Sequence, residues 1–421
     1  MKKIGVIISM FPEIHETFIV RELAELERQN FAFDIYSLQK PRDPVTLEEA
    51  QKLMKERTHY ATLFGLMQWW AFFKCFILHP IRMLKLMTEI MWVGKDRPME
   101  SLKSLAILPI TCFFSESMKS EGITHVHGHW ANVPTTACWA MKRLFGFSWS
   151  AAIHGEDIFS PNLFLEHKLK EAAFTVVCTG YFCSHLKCNM NHTHPQDIHL
   201  NYHGLSPKIY ERIAKLDNTT TQKKNTDAPF EILSIGRLVP TKGHDLLIQA
   251  VAILIKEGRS VRLSLIGSGP DEAKLKNLVT ILENTENLAL SQHIQFLGMR
   301  SFHEVMDAFE RTDCFALACH MIAGEPPDGI PNVIAEAMAL GVPIVSTRMG
   351  AIPELVEHEK TGLLAEPNDV PSLVNVLGTL ISDSELRQTI TIEARNKVLS
   401  MFDQKKNVSD LIALFKRYVG G

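Results

Sequence analysis

The stretch DGIPNVIAEAMALGVPIVSTRMGAIPELV runs from Asp328 to Val356 and decides how the chain is read. Pro331 suits a first helical turn, Gly341 suits a helix end, and Pro343 forbids continuation. The spacing therefore predicts a short helix over Asn332–Leu340 with a loop before it at Asp328–Ile330. The apolar run Pro343–Thr347 that follows reads as a strand. One carboxylate, Asp328, lies in the loop. A second, Glu336, sits eight positions on, inside AEAMAL, between the rows Val333, Ala337, Leu340 and Ile334, Met338 that can face a core.

Working outward, the same alternation recurs. Glu231–Gly236, Val261–Gly267, Ile294–Gly298 and Cys314–Ala318 read as strands separated by helical patterns. Towards the amino end, Ile4–Ser9, Phe31–Leu38, Thr124–His129, Ser148–His154 and Phe174–Thr179 repeat the theme, with Glu16–Gln29 helical in its spacing. Between the two series lies DNTTTQKKNTDAP, Asp217–Pro229, polar and turn-rich like a linker. Two series of βα units predict an α/β chain with two doubly wound parallel sheets. The expected plan is a first domain over 1–216, a linker over 217–229 and a second domain over 230–400. A final helix over 401–421 follows, with packing back on the first domain as one placement. Ligands of such sheets bind beyond the carboxyl ends of the strands, so a cleft between the domains is the expected site.

Composition narrows the class. A chain of 421 residues exceeds what one core usually organises. A formal net charge of −3 gives no reason to expect nucleic acid as a partner. The eight cysteines form no CxxC pair, and MKKIGVIISM reads as a first strand, so free thiols in the cytoplasm are expected.

Chemistry concentrates in two places in the second half. Gly329 lets backbone approach a ligand, and the amino end of the Asn332 helix offers N–H groups to an anion such as a diphosphate. Glu336 can then accept hydrogen bonds from the vicinal hydroxyls of a ribose, and Asp328 from those of a second sugar. Alternatively, Glu336 is a solvent-facing helix residue and Asp328 a turn former. The second place is SIGRLVPTKG, Ser234–Gly243, where Arg237 and Lys242 bracket the end of a strand. Both are cationic, and Arg holds phosphate oxygens in a fork.

These motifs carry a resemblance. GRLVPTKG, LIGSGPDEAKL and the Asp328–Val356 stretch, with TGLLAEP behind it, closely resemble the retaining GT-B glycosyltransferases of family four. SMFPEIHETFIVREL, HVHGHWA and AAIHGEDIF look like the branch that builds exopolysaccharides of the colanic-acid and amylovoran type. The resemblance covers nearly the whole chain, with Leu53–Gly122 its least distinctive part. It implies a GT-B fold, two Rossmann-like domains facing a central cleft.

The resemblance also implies roles. Glu336 would hold the ribose hydroxyls and Asp328 those of the donor sugar. Arg237 and Lys242 would neutralise the departing diphosphate, backbone near Asn332 and Val333 would touch the phosphates, and Met299 would meet the base. His154 would lie beside the anomeric centre, with Asp157 at a position usually acidic in this branch. His127 and His129 are candidates for the acceptor side, or else buried hydrogen-bonded histidines. Glu16 and Thr17 face the acceptor or cap their helix. No residue is an evident covalent nucleophile. The expected function is transfer of a hexose, with retention of configuration, from a UDP- or GDP-linked sugar to a carbohydrate acceptor. That acceptor is expected to be a lipid-linked oligosaccharide, with no cofactor or metal required. A nucleotide-sugar epimerase and an idle GT-B partner subunit are the alternatives. One departure is Ala318-Cys319, where the family often has Pro-Ser.

Other signals are weaker. Gly267-Ser268-Gly269 follows a strand but lacks the third glycine of a dinucleotide loop, since position 272 is Glu. The cysteines and histidines of Cys183–His203 fit no standard zinc spacing. Thr58–Phe73 carries no Lys, Arg, Asp or Glu and is too short to span a bilayer, which needs about 20 apolar residues. It reads either as helices covering the first domain or as a patch at the inner leaflet, with Lys74, Arg82 and Lys85 meeting anionic lipid.

Overall fold

The computed structural model describes residues 3–13, 16–42, 47–62, 65–159, 165–189, 197–217, 228–322 and 329–419, without the Glu156 side chain. Asp328 and most of the expected linker lie outside the described residues. The chain forms two units. One comprises Met1–Gly204 with Gln404–Gly421, the other Leu205–Asp403.

The first unit is built on β1 (Ile4–Met10), β2 (Phe33–Gln39), β3 (Thr58–Tyr60), β4 (His125–His129), β5 (Ser148–Ile153), β6 (Thr175–Val177) and β7 (Ile198–Leu200). They pair in the order β3-β2-β1-β4-β5-β6-β7, every pair parallel. Parallel strands need crossovers over both faces, so both faces are buried and the strands read as apolar runs. Along β1, Ile4, Val6 and Ile8 face the layer that holds helix Thr17–Arg28 and the last helix, Gln404–Val419. Ile7 faces the opposite layer, with Met118 and Trp139.

The second unit is built on β8 (Phe230–Ile235), β9 (Val261–Ile266), β10 (Ile294–Gly298), β11 (Cys314–Ala316), β12 (Ile344–Thr347) and β13 (Leu363–Ala365). Their order is β10-β9-β8-β11-β12-β13, again parallel throughout. The two sheets give the α/β, doubly wound architecture that the alternation predicts. Three strands escape the sequence reading: β3, β7 and β13. Each has three residues and, unlike the equally short β6 and β11, no longer apolar run around it to mark it.

The division between units falls at 204/205, before the 216 read from sequence. Helix Pro207–Asp217 packs within the second unit: Tyr210 donates to the Phe402 carbonyl at 3.3 Å, and Arg212 pairs with Asp307 at 2.6 Å and with Glu310. The last helix belongs to the first unit. Phe415 packs on Phe31 at 5.3 Å, Gln29 donates to the Lys405 carbonyl at 2.9 Å, and Asn407 donates to the Tyr202 carbonyl at 3.0 Å.

At Gly243 the fold leaves no room for a side chain. Gly243 precedes helix His244–Lys256 with φ 64°, and a Cβ there would stand 1.9 Å from the Ala318 carbonyl oxygen. Gly146 has a similar φ, 79°, with nothing within 4 Å. Gly243→Ala is expected to cost about 3 kcal/mol through strain plus collision, and Gly146→Ala about 1 kcal/mol through strain alone. Denaturant titration of both variants measures the difference, and equal costs would refute the backbone contact.

Candidate functional site

The second sheet reverses its winding between β8 and β11, and the crevice at such a switch point is where a doubly wound sheet takes ligands. The loop after β8 carries Arg237, which is exposed, and Lys242, which is half-buried in the short 3₁₀ turn Pro240–Lys242. Beneath it lies His244, whose Nδ1 is 3.4 Å from the Ser234 hydroxyl. Burial pulls His244 down to about 4, against a hydrogen bond to the Arg237 backbone.

Beyond β11 the main chain is pinned on both sides. Leu317 N–H donates to the Val345 carbonyl at 3.1 Å, the Ser346 hydroxyl to the Leu317 carbonyl at 2.7 Å, and the Thr347 hydroxyl to the Cys319 carbonyl. His320 N–H then donates to the Thr241 carbonyl at 3.1 Å, tying this segment to the cationic loop. Ala318 and Cys319 are buried.

The helix expected at Asn332–Leu340 is present as Asn332–Ala339. Pro331 precedes it without a side-chain cap, and Gly341 closes it at φ 76°. Ile334, Ala335, Ala337 and Met338 are buried, Asn332 is exposed, and Val333 and Glu336 are half-buried. Glu336 thus emerges between two core-facing rows instead of pointing into them. On the other side of β8, Leu238 N–H donates to the Ser268 carbonyl at 2.9 Å and Gly267 N–H to the Gly298 carbonyl at 3.0 Å. Met299, 72% exposed, follows Gly298 on this interlinked set of loops. The glycines of Gly267-Ser268-Gly269 have a packing role: a Cβ would stand 1.9 Å from the Gly236 carbonyl oxygen at 267 and 2.3 Å from that of Leu238 at 269.

A second cluster lies at the carboxyl ends of β4 and β5 in the first unit. His154 is buried, 4.5 Å from the Trp130 ring, 5.0 Å from Phe18 and stacked on His203 at 5.3 Å. Its N–H donates to Asp157 Oδ2 at 3.0 Å, and its Nε2 has no hydrogen-bond partner among the described residues. Burial, with His203 and His129 nearby, holds His154 well below the ordinary imidazole range. Burial likewise brings His203 down to about 4. An uncharged imidazole with an open nitrogen, walled by rings, suits a neutral hydroxyl better than an anion.

Glu16 stands at the N-cap of helix Thr17–Arg28 but makes no side-chain cap bond, so the capping role is not found. Burial raises its carboxyl, opposed by His129 and the Trp130 indole. Thr17 is the first residue of that helix. His129 is buried, with Nε2 3.3 Å from Glu22 Oε1. His127 lies deeper, with Nδ1 2.7 Å from the Ser150 hydroxyl and the Phe415 ring 5.1 Å away, in the layer under the last helix. It is the buried, hydrogen-bonded histidine of the two readings given for it.

Sequence reasoning assigned no role to Trp130, Phe18, His203 or Lys168. The Lys168 ammonium is buried and donates to the Asn132 carbonyl at 3.1 Å, the Thr135 and Thr136 hydroxyls at 3.1 and 3.0 Å, and the Ala131 carbonyl. Burial pulls it down to about 7, with Asp157 opposing. It holds the bend in which Trp130 takes φ 73°. Among the described residues of this unit, three groups bring potential metal-ligand atoms within 4.8 Å of one another; besides Asp34 with His59 and Glu121, they are Glu22 with His127 and His129, and His154 with Cys178 and His203. Of the stretch Cys183–His203, only His203 joins any of these groups; His192 and His194 lie outside the described residues.

Residues 217–397 match the family described as glycosyl transferases group 1. A relative from Escherichia coli bearing the name of colanic acid biosynthesis glycosyltransferase WcaL is 33% identical over 189 residues, 45% of each chain. The amylovoran biosynthesis glycosyltransferase AmsK of Erwinia amylovora is 31% identical over 189 residues, again 45% of each. The chain thus spans about half the length of the curated relatives it matches. Among solved structures, Anabaena HepE in complex with UDP aligns with a TM-score of 0.68 at 17% identity, covering 99% of this chain and 100% of that one. A glycosyltransferase from Rickettsia africae gives 0.69 at 17%, covering 100% and 99%. At such identity the likeness is one of fold, and the fold is that of the GT-B glycosyltransferases.

The neutral histidines fix the sign of a pH effect. Unfolded, His127 and His154 take up protons near 6.5; folded, they do so only well below it. Their contribution is complete above about 6.5 and falls as pH drops, by about 1.4 kcal/mol per group per pH unit. Denaturant titrations at pH 7.5 and 5.5 should show lower stability at 5.5, with a smaller drop in His154→Gln. An unchanged drop in that variant would argue against a buried neutral His154.

Proposed function

We infer that this chain, whose residues 217–397 match the glycosyl transferases group 1 family, moves a hexose from a nucleotide-diphosphate sugar to a carbohydrate acceptor. The transfer retains anomeric configuration, and the product is an exopolysaccharide or cell-surface polysaccharide. The names of the E. coli and Erwinia relatives support the pathway class, and the HepE complex supports a nucleoside diphosphate as ligand. The observation that carries the reading is the switch-point crevice of the second unit. There a cationic loop, Arg237 to Lys242, is bonded to the extension of β11, and the helix after that extension bears Glu336 among buried neighbours.

In this reading Glu336 accepts from the ribose hydroxyls, while the uncapped N–H groups of Asn332 and Val333 meet phosphate oxygens. Met299 borders the base. Arg237 and Lys242 stabilise the negative charge that grows on the leaving diphosphate, the work a divalent ion does elsewhere, so no metal is required. Asp328 serves the donor sugar. His154, uncharged and with Nε2 open, meets a sugar hydroxyl beside the anomeric carbon, and the acceptor side includes Glu16, Thr17 and His129. The acceptor is a lipid-linked oligosaccharide, and the chain works in the cytoplasm at the inner leaflet.

Thermal unfolding with UDP, GDP, ADP and dTDP tests the site. One nucleotide at 100 times its Kd should add about 2.7 kcal/mol of stability. Glu336→Ala should weaken that binding about tenfold or more. His154→Ala should leave it nearly intact and slow transfer about a hundredfold. Chelator should leave transfer unchanged. Absence of any nucleotide response, or full transfer by both variants, would defeat the reading.

A further inference from the structure

The crossover from β3 to β4 runs from residue 61 to residue 124, though a parallel connection needs little more than one helix. The necessary helix is Leu108–Ser120, which buries Leu108, Ile110, Cys112, Phe114 and Met118. The preceding residues form an extra layer of three helices. Leu66–Leu78 packs on Leu108–Ser120, Pro80–Val93 on Val133–Phe145, and Pro98–Ala106 beside them.

This layer is apolar on its outer side. Helix Leu66–Leu78 buries only Gln68, Ala71 and Cys75, and helix Pro80–Val93 only Met83, Leu86 and Ile90. The outward stripe includes Leu66 at 89% exposure, Trp70 at 69%, Ile77 at 76%, Ile81 at 80% and Trp92 at 75%. All three exposed tryptophans among the chain's six lie here, since Trp130 is half-buried and Trp139 and Trp149 are fully buried. A surface of this extent on one side of a unit has a partner.

Charge identifies the partner. Residues 66–106 hold six basic side chains against three acidic, in a chain whose net charge is −3. Lys85 and Lys95 are exposed within or beside the stripe, Lys95 lying 5.6 Å over the Trp92 ring, and Lys74 pairs with Glu116 at 3.1 Å. Indole rings with basic residues around an aliphatic stripe suit the headgroup level of an anionic bilayer, where the ring sits at the interface and the ammonium meets phosphate. No helix among the described residues is long and apolar enough to cross a membrane. Helices of 13 and 14 residues reach about 20 Å, short of a hydrocarbon core of about 30 Å, so they lie on it.

We propose that the layer of helices Leu66–Leu78, Pro80–Val93 and Pro98–Ala106 is the surface by which this chain docks on an anionic lipid bilayer. The proposal rests on the polysaccharide reading, because a lipid-linked acceptor is what gives the docking its use.

Flotation of the full chain with vesicles tests it, using phosphatidylcholine alone and an equimolar mixture with phosphatidylglycerol. The wild type should float with the anionic vesicles. Combined Trp70→Ser, Ile77→Ser, Ile81→Ser and Trp92→Ser should reduce partition at least tenfold, these side chains being largely exposed. Lys85→Gln with Lys95→Gln should lower it about tenfold on anionic vesicles and leave neutral ones unaffected. The proposal falls if the wild type does not float, or if the quadruple variant floats equally well. It also falls if that variant only turns a self-associated chain into a monomer, because the stripe would then be a contact between copies. Nucleotide-induced stabilisation is read on the same proteins: its absence in the wild type counts against the glycosyltransferase reading, while flotation still decides the docking surface.

Discussion

Main chain lies directly against main chain at the heart of the second unit. The Ala318 carbonyl occupies the space a side chain at 243 would need, and the Gly236 and Leu238 carbonyls do the same at 267 and 269. Because no side chain intervenes, the loops after β8, β9 and β11 and the end of β10 bond to one another through backbone groups: Leu238 to Ser268, Gly267 to Gly298, His320 to Thr241. Backbone contacts have no rotamers to lose, so the positions of Arg237 and Lys242 follow from strand ends and not from flexible packing. The same closeness brings the amides within reach of a ligand and gives the crevice its polar lining.

The first unit solves a different problem with rings. Around His154, Phe18, Trp130 and His203 exclude water, while Asp157 binds its main chain and leaves Nε2 open. Lys168 satisfies the backbone of the bend that brings Trp130 into place. The cost is a set of histidines that must stay uncharged. The result is a hydrogen-bonding atom in an apolar wall, a chemistry that matches neutral oxygen better than charged groups.

Much of this was legible in the residues, and the reasons differ by element. Pro331, Gly341 and Pro343 punctuate the Glu336 helix so strongly that its bounds were readable to one residue. The long strands announced themselves as apolar runs because both sheet faces are covered. The strands β3, β7 and β13 did not, since a three-residue strand with no longer apolar run around it owes its existence to the neighbour it pairs with. The edge of the first unit was misplaced because a polar linker looks like a boundary, whereas the real one is set by where helix Pro207–Asp217 finds its ion pairs. His127 and His129 look alike in HVHGH, yet one lies against Phe415 and the other beside Glu22. Depth along a strand depends on what covers it, which no local pattern records. Lys168 gave no signal either, as its four oxygen partners come from a segment more than thirty residues away.

The last helix returns to the first unit after the second is complete, so the second unit is an insertion within the first. On the ribosome, residues 205–403 hold all their own strands before Gln404 emerges, and can close their sheet on schedule. The first unit cannot. Phe31, His125, His127 and Phe174 wait for Phe415, with the part of their sheet face that helix Thr17–Arg28 does not cover left open until the final helix arrives. Synthesis order is thereby inverted: the unit made first finishes last, and a chain cut short near its end leaves the second sheet whole while exposing the aromatic face of the first.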